Sequence, residues 1–454
     1  SGTDDSAIGN TAYGFAALDA ITTGDYNVAI GNEAGGAINT GERNVLMGYA
    51  AGDAITTGNY NTAVGHGALS TEDTRSGSTA FGYKALNLQN ASSDTYNVAV
   101  GYNAGSKITT GVYNTLIGGQ AGESLTTGGD NVAVGLNALR NEDTDGKNIA
   151  IGNNALQDLN AGADAYNVAI GHVAGENLTT GVQNTLIGGS AGDALTGGQE
   201  NVAIGYNSLS GTQYANYNVA IGKSSMSSAT LSNKNVGIGV STLSSLSQSS
   251  GTDTYNVAVG HDAGKAVTTG THNTIIGGLA GDSLTLGSEN VAIGYNSLGT
   301  EDGNGKNVAI GYRTLEDQNA GVDAYNVAIG YEAGKEITTG VRNILIGGLA
   351  GDYLKTGNFN VAIGHESLSA EDSGNYNVAI GYNALKILDA GDSYNTAIGF
   401  DTGKSMTTGT RNTLVGGLSG DALTTGSDNV VLGYNSLGSN TIGNSNVAIG
   451  KDAM

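Results

Sequence analysis

The pentad Asn-Val-Ala-Ile-Gly and its variants recur 26 times between Asn10 and Gly450, and 20 of the 25 intervals between copies are 17 residues. The first residue is Asn in every copy but one, where Ser78 stands, and the fifth is Gly throughout. A period this short and this regular admits one supersecondary unit per repeat and no conventional domain boundary. The 454 residues therefore read as one continuous repeat array over 1–454, although length alone would suggest two or three globular domains.

With the Asn counted as position 1, a longer period appears. Copies starting at 27, 97, 167, 256, 326 and 395 (first type) carry Gly at position 9 and mostly an Ile-Thr-Thr-Gly-like turn. Those at 44, 114, 184, 273, 343 and 412 (second type) mostly read Asn-Thr-Leu-Ile-Gly-Gly, followed by Ala-Gly-Asp. A third type has Leu at position 9 and often Glu-Asp after it: Glu72-Asp73, Glu142-Asp143, Glu301-Asp302 and Glu371-Asp372. The fourth type usually holds extra residues just before a Tyr. Four copies make a super-repeat of about 70 residues; the array from 167 to 255 has five copies and a Ser-rich stretch around 224–250.

Seventeen residues are too few for a helix pair, and the apolar spacing is not 3.6. Val or Thr at position 2 and Ile or Val at position 4 suit a strand, and the Gly residues near positions 5 and 15 are turn signals. Each unit is thus expected to form one coil of a parallel β-solenoid, with two or three short strands per coil. Stacked at about 4.8 Å per layer, 26 coils would make a rod on the order of 120 Å long. A column of position-1 Asn (Asn27, Asn114, Asn201, Asn290) is expected to stack amides along the array and pin its register. The Gly column (Gly31, Gly118, Gly205, Gly294) implies either a positive φ or a backbone approach that tolerates no Cβ.

Position 3 is mostly Ala but Leu or Ile in second-type copies (Leu46, Leu116, Leu186, Ile275, Leu345, Leu414), which have Gly at position 9; third-type copies pair Ala at 3 with Leu at 9. This pattern reads as volume compensation within one core. It places positions 3 and 9 inside and turns the β-branched residues of positions 2 and 4 toward something else, although the pattern alone does not fix which face is interior. A strand apolar on both faces wants cover on both, and a second copy of the chain, in a three-fold bundle or an open filament, would supply it.

Composition removes several classes. There is no Cys, Pro or Trp, so neither a disulfide scaffold, nor a thiolate metal site, nor collagen is available. With 41 Asp+Glu against 18 Lys+Arg and a net charge of -23, the chain lacks the basic surface of a nucleic-acid binder. No apolar run is long enough for a membrane-spanning helix. Four of the five His residues (His66, His172, His261, His365) occupy position 6 in coils far apart, so none can share a metal or a proton within the chain, and near-identical coils offer no unique cleft for a catalytic pair. The Thr-Thr-Gly turns are interrupted by acidic loops and insertions, which breaks any flat lattice for ordering ice. The chain is expected not to be an enzyme.

Two features keep a binding reading open. The turns Asn141-Glu142-Asp143-Thr144-Asp145-Gly146 and Glu301-Asp302-Gly303-Asn304-Gly305 alternate oxygen ligands with Gly, which makes Asp143, Asp145 and Asp302 candidate Ca²⁺ ligands. The pattern lacks a terminal bidentate Glu, so a solvated polar turn is the plainer reading. Of 22 Tyr, ten precede the position-1 Asn and nine sit at position 6. Tyr96, Tyr102, Tyr325 and Tyr331 are representative candidates for contact with a glycan or a host surface; the alternative is aromatic stacking along a shaft.

The Asn-x-Ala-Ile-Gly strand resembles the head repeats of trimeric autotransporter adhesins, whose repeats are shorter. The longer unit, such as Tyr113-Asn114-Thr115-Leu116-Ile117-Gly118 after Thr109-Thr110-Gly111, resembles the repeat arrays of phage and bacterial tail-fibre-type proteins. The resemblance covers essentially the whole chain and implies an elongated trimeric fibre outside the cell, on a cell surface or on a virion, with no catalytic residue. The abrupt start and end are read as those of a segment of a longer fibre, without caps or a terminal chaperone module. The expected work is that of a shaft; the alternatives are an adhesin or a subunit of a self-assembling filament.

Overall fold

The computed structural model describes residues 7–454. These residues contain no helix and form a parallel β-solenoid of about 26 coils, one per 17-residue unit. The chain divides into two units, Ser1–Ser224 and Ser225–Met454. Unit 1 holds thirteen three-residue strands from Thr11–Tyr13 to Val219–Ile221, and unit 2 thirteen from Val236–Ile238 to Val447–Ile449. Within each unit, successive strands pair in parallel and in register: Val28, Ala29 and Ile30 lie beside Val45, Leu46 and Met47, and Val327, Ala328 and Ile329 beside Ile344, Leu345 and Ile346.

One strand per coil replaces the two or three expected. The reason is the backbone of the remaining residues. Positions 7, 9 and 17 adopt left-handed φ even with bulky side chains, as at Leu18 (52°), Glu33 (62°) and Tyr26 (58°). Each such residue costs roughly 1–2 kcal/mol and turns the chain before a second strand can extend. Coil-to-coil hydrogen bonds nevertheless continue through the turns. The N–H of Glu33 donates to Phe15 O (2.8 Å), that of Gly35 to Ala51 O (3.0 Å) and that of Arg43 to Asp25 O (2.9 Å). The exception is the Ser-rich stretch of unit 2, where Thr230–Asn233 pairs in parallel with Ser247–Asp253.

The interior of each coil is lined by positions 1, 3, 8, 9 and 12, all fully buried in typical coils: Asn27, Ala29, Ala34 and Ile38, or Ala63, Ala68 and Leu69. The Leu–Gly exchange is a packing register. A methyl group on Gly52 would lie 2.8 Å from Leu46 Cδ2, and one on Gly35 would lie 2.7 Å from Leu46 Cδ1 in the next coil and 3.2 Å from Leu18 Cδ2 in the preceding one. The position-3 Leu of a second-type coil thus occupies space vacated at position 9 by its own coil and the coil before it. The same geometry recurs at Gly105 with Leu116 and Leu86. The 70-residue super-repeat is therefore the period of core interdigitation. Positions 2 and 4 face outward.

Candidate functional site

Three columns carry the polar and exposed chemistry. The first is the buried Asn–Gly ladder. Asn114 N–H donates to Asn97 Oδ1 (2.8 Å), its Nδ2 donates to Gly128 O (3.0 Å), and its own Oδ1 accepts from Asn131 N–H (3.1 Å). Asn27, Asn201 and Asn290 make the same set, to Asn10 and Gly41, to Asn184 and Ala215, and to Asn273 and Asn304. Each of these four amides ties the start of its coil to its own last turn and to the coil before; in the lengthened coils the tie to the last turn is missing, Asn148 Nδ2 donating to Gly146 O instead and Asn307 and Asn377 Nδ2 lying buried without a partner. At Ser78, where the amide is missing, Gln89 Nε2 donates to Ser78 Oγ (2.8 Å), and Ser78 shares a hydroxyl hydrogen bond with Thr95 (2.6 Å). In the Gly column, both alternatives read from the sequence hold at once. Gly31, Gly118, Gly205 and Gly294 have φ between 130° and 140°, and a methyl on Gly205 would lie 2.6 Å from the carbonyl oxygen of Gly222.

The second column is exposed. The side chains at positions 2 and 4 are half-buried to exposed, the latter at Val45, Ile117, Ile276 and Ile344. The aromatic residues at positions 6 and 17 border them. At position 6 the rings stack on one another: Tyr49, His66, Tyr83 and Tyr102 run in series with centroids 4.9, 5.3 and 5.3 Å apart, as do Tyr295, Tyr312 and Tyr331 (5.6 and 5.4 Å). At position 17, Tyr96 lies on Tyr113 (6.1 Å), Arg43 bridges the rings of Tyr26 and Tyr60, and Tyr325 is covered by Lys306, whose ammonium also donates to Tyr325 Oη (3.2 Å). Most ring faces are thus occupied by the neighbouring coil. Tyr102 and Tyr331 end their stacks, because the next coils carry Gly119 and Gly348 at position 6.

The third column corrects the reading of the acidic turns as solvated. Glu72, Glu142, Glu301 and Glu371 occupy position 12, the interior position that elsewhere holds Ile38 or Leu125, and all four are fully buried. Each accepts the backbone N–H three residues on: Glu72 from Arg75 (3.1 Å), Glu142 from Asp145 (3.1 Å), Glu301 from Asn304 (3.0 Å) and Glu371 from Gly374 (2.6 Å). In first-type coils that donor reaches the following coil instead, as Gly41 N–H reaches Thr56 O (3.2 Å). Each of the four Glu coils is followed by a coil with inserted residues, whose lengthened turn takes a different path; the coil starting at Asn201, followed by a 17-residue coil, has Thr212 there, and the coil starting at Asn218, which precedes the 21-residue coil of the Ser-rich stretch, has Ala229. Glu at position 12 is therefore a turn cap placed inside the core. The signal in the sequence was positional: aligned on the Asn, the Glu falls on the Ile/Leu column.

Burial pushes the carboxyls of Glu72 and Glu301 above the usual range. It pushes Glu371 up to about 7, and together with the charge of Asp145 it pushes Glu142 up to about 8. A second set of acids, Asp53, Asp193, Asp282, Asp352 and Asp421 at position 10 of second-type coils, is likewise raised by burial. Among the Ca²⁺ candidates, Asp145 is buried, Asp143 half-buried and Asp302 exposed. Asp143 and Asp302 use their main-chain carbonyls to accept from Thr126 and Thr285 N–H (both 2.6 Å). They lie in different units, and among the described residues no three His, Cys, Asp or Glu side chains converge on a common point.

No protein-family model matches the chain, and no curated protein matches it. What stands is the fold class: an all-β, tandem-repeat parallel solenoid with no helix among its described residues able to cross a membrane.

Proposed function

We propose that this chain is a structural shaft of a surface fibre, outside the cell or on a virion, and that it works as an assembly of its own copies, in a three-fold bundle or a filament. The observation that carries this reading is the outward apolar face. Coil after coil presents Val or Thr at position 2 and Ile at position 4 between aromatic columns, with exposures near 40% at Val45, Ile117 and Ile344. Four outward positions about 20 Å wide over thirteen layers of about 4.8 Å give on the order of 1,200 Å² in each unit, against roughly 800 Å² per partner in a standard interface. The interlocked Leu–Gly core and the Asn ladder suit a load-bearing element, since each coil is held by both neighbours. The charge of -23 keeps assembled fibres apart in solution.

The test is mass by light scattering for the intact chain and for the pair Ile117→Lys, Ile276→Lys. The intact chain is expected at a multiple of 45.3 kDa and the variant at a single chain with an unchanged circular dichroism spectrum. An intact chain that stays single at micromolar concentration refutes the assembly. A second reading, contact with a glycan, is favoured, among the four candidate tyrosines, at Tyr102 and Tyr331, which end their ring stacks; binding of a glycan array that is lost in Tyr102→Ala with Tyr331→Ala would support it.

A further inference from the structure

The four position-12 Glu turns are internal controls for one another. In the first, Glu72 Oε2 accepts from Gln89 Nε2 of the next coil (3.0 Å), and the residue at position 15 is the cation Arg75. In the third, Asn304 supplies both its N–H (3.0 Å) and its side-chain amide (3.1 Å) to Glu301 Oε1, while Oε2 is buried without a partner. In the fourth, Gly374 N–H and Ala390 N–H (3.5 Å) serve the two oxygens of Glu371. The second turn departs from this pattern, because its position-15 residue is itself an acid. Glu142 is fully buried and Asp145 is 5% exposed. Glu142 Oε1 accepts from the N–H groups of Asp143 and Asp145 (both 3.1 Å), while Glu142 Oε2 and Asp145 Oδ2 are both buried without a partner.

Glu301 Oε2 in the third turn is likewise without a partner, but only in the second turn does a second buried acid, with an unsatisfied oxygen of its own, stand where the sister turns have Arg75, Asn304 or Gly374, so that two buried carboxyls repel each other with no compensating group between them. The cations of the same coil are committed elsewhere. Arg140 Nε donates to Glu123 (3.0 Å), and Lys147 is paired with Asp164 and with Tyr166 Oη. Asp143 adds a third negative charge within electrostatic reach of Glu142.

We infer that Glu142 and Asp145 hold one divalent, oxygen-seeking cation of the Ca²⁺ class, a single site in a chain of otherwise repeated coils. The donors are hard carboxylate oxygens in a turn rich in backbone carbonyls, with no sulfur or imidazole, which is the chemistry such ions select. The two acids supply the charge, and carbonyl oxygens and water complete the coordination. Asp302 is exposed and has the neutral Asn304 rather than a second buried acid at position 15 of its turn, so it is not part of any such site. Neither the assembly nor the shaft reading is needed for this inference.

The experiment is calorimetric titration of the full chain, first freed of metal with a chelator, with Ca²⁺ at pH 7. The comparison chains are Asp145→Asn, which keeps the size and the backbone, and Glu301→Gln, which alters a sister turn. One saturable site per chain is expected for the intact protein and for Glu301→Gln, with affinity at least tenfold weaker in Asp145→Asn. The melting temperature is expected to rise with Ca²⁺ in the first two only. Circular dichroism confirms that each variant is folded. The inference is overturned by the absence of a one-to-one site, by binding that survives Asp145→Asn unchanged, or by a Glu142–Asp145 pair that takes up a proton on acidification and no Ca²⁺.

Discussion

Replacing Gly205 by Ala tests the Gly column at one atom. Gly205 has φ of 136°, which side chains avoid, and the added methyl would lie 2.6 Å from Gly222 O. The torsional part costs roughly 1–3 kcal/mol. Relieving the clash requires the next coil to move, which stretches Gly222 N–H to Ile204 O (2.8 Å) and Ser224 N–H to Tyr206 O (2.9 Å). At about 1 kcal/mol each, the total is on the order of 3–5 kcal/mol. Two other glycines separate the terms. Gly450 has φ of 118° and open space around its methyl position, so Gly450→Ala carries the torsional cost alone; Gly303 has open space and an ordinary φ, so Gly303→Ala is expected within about 0.5 kcal/mol of the parent. Hydrogen exchange read by mass spectrometry, with thermal melts, resolves the three. Gly205→Ala is expected to lose protection in the coils starting at Asn201 and Asn218 while distant coils keep theirs, as nearest-neighbour stacking requires. A Gly205→Ala chain indistinguishable from Gly303→Ala would refute the reasoning.

Asn114→Ala leaves Gly128 O and Asn131 N–H buried without partners, an expected loss of about 2–4 kcal/mol in the melt. Leu46→Ala with Gly52→Leu converts a second-type core layer into the third type. Each single change is expected to destabilise, Leu46→Ala by roughly 2–5 kcal/mol through its cavity, and the double variant to recover part of the loss, giving a favourable coupling in a double-mutant cycle. Glu371 is held at about 7 against an ordinary 4.5 by burial. Its folded form binds the proton more tightly than the unfolded chain, so its contribution is complete below pH about 4.5, falls as the pH rises to about 7, and is flat above. Chemical denaturation at pH 4.5 and 7.5 is expected to show a smaller difference in Glu371→Gln than in the parent; an equal difference would remove the buried carboxyl as its cause.

The period, the single coil per unit and the volume pairing of positions 3 and 9 were legible because they are rules repeated many times, Leu46 with Gly52 and Ala63 with Leu69; which strand face is interior was not, because both faces are apolar. The strand count was not, because Leu18, Tyr26 and Glu33 adopt left-handed φ where local rules expect Gly or Asn; coil-to-coil hydrogen bonds override the local preference. Regular Asn spacing exposed the amide ladder, but not that the amide of most 17-residue coils also closes its own coil onto position 15, as Asn114 does onto Gly128, whereas Asn148 in a lengthened coil turns back to Gly146. The buried Glu residues were hidden by reading Glu142-Asp143 as a polar dipeptide rather than as positions 12 and 13 of a coil, although the insertion in the following coil was in plain sight.

The central claim is that each repeat is one layer of a stack held in register. Deleting residues 97–166, four whole coils, joins Tyr96 to Asn167 in the original register. Electron cryomicroscopy of the deleted chain is expected to show an intact solenoid shorter by about 19 Å, four layers of about 4.8 Å. Loss of the fold, or an unchanged length, would contradict the account.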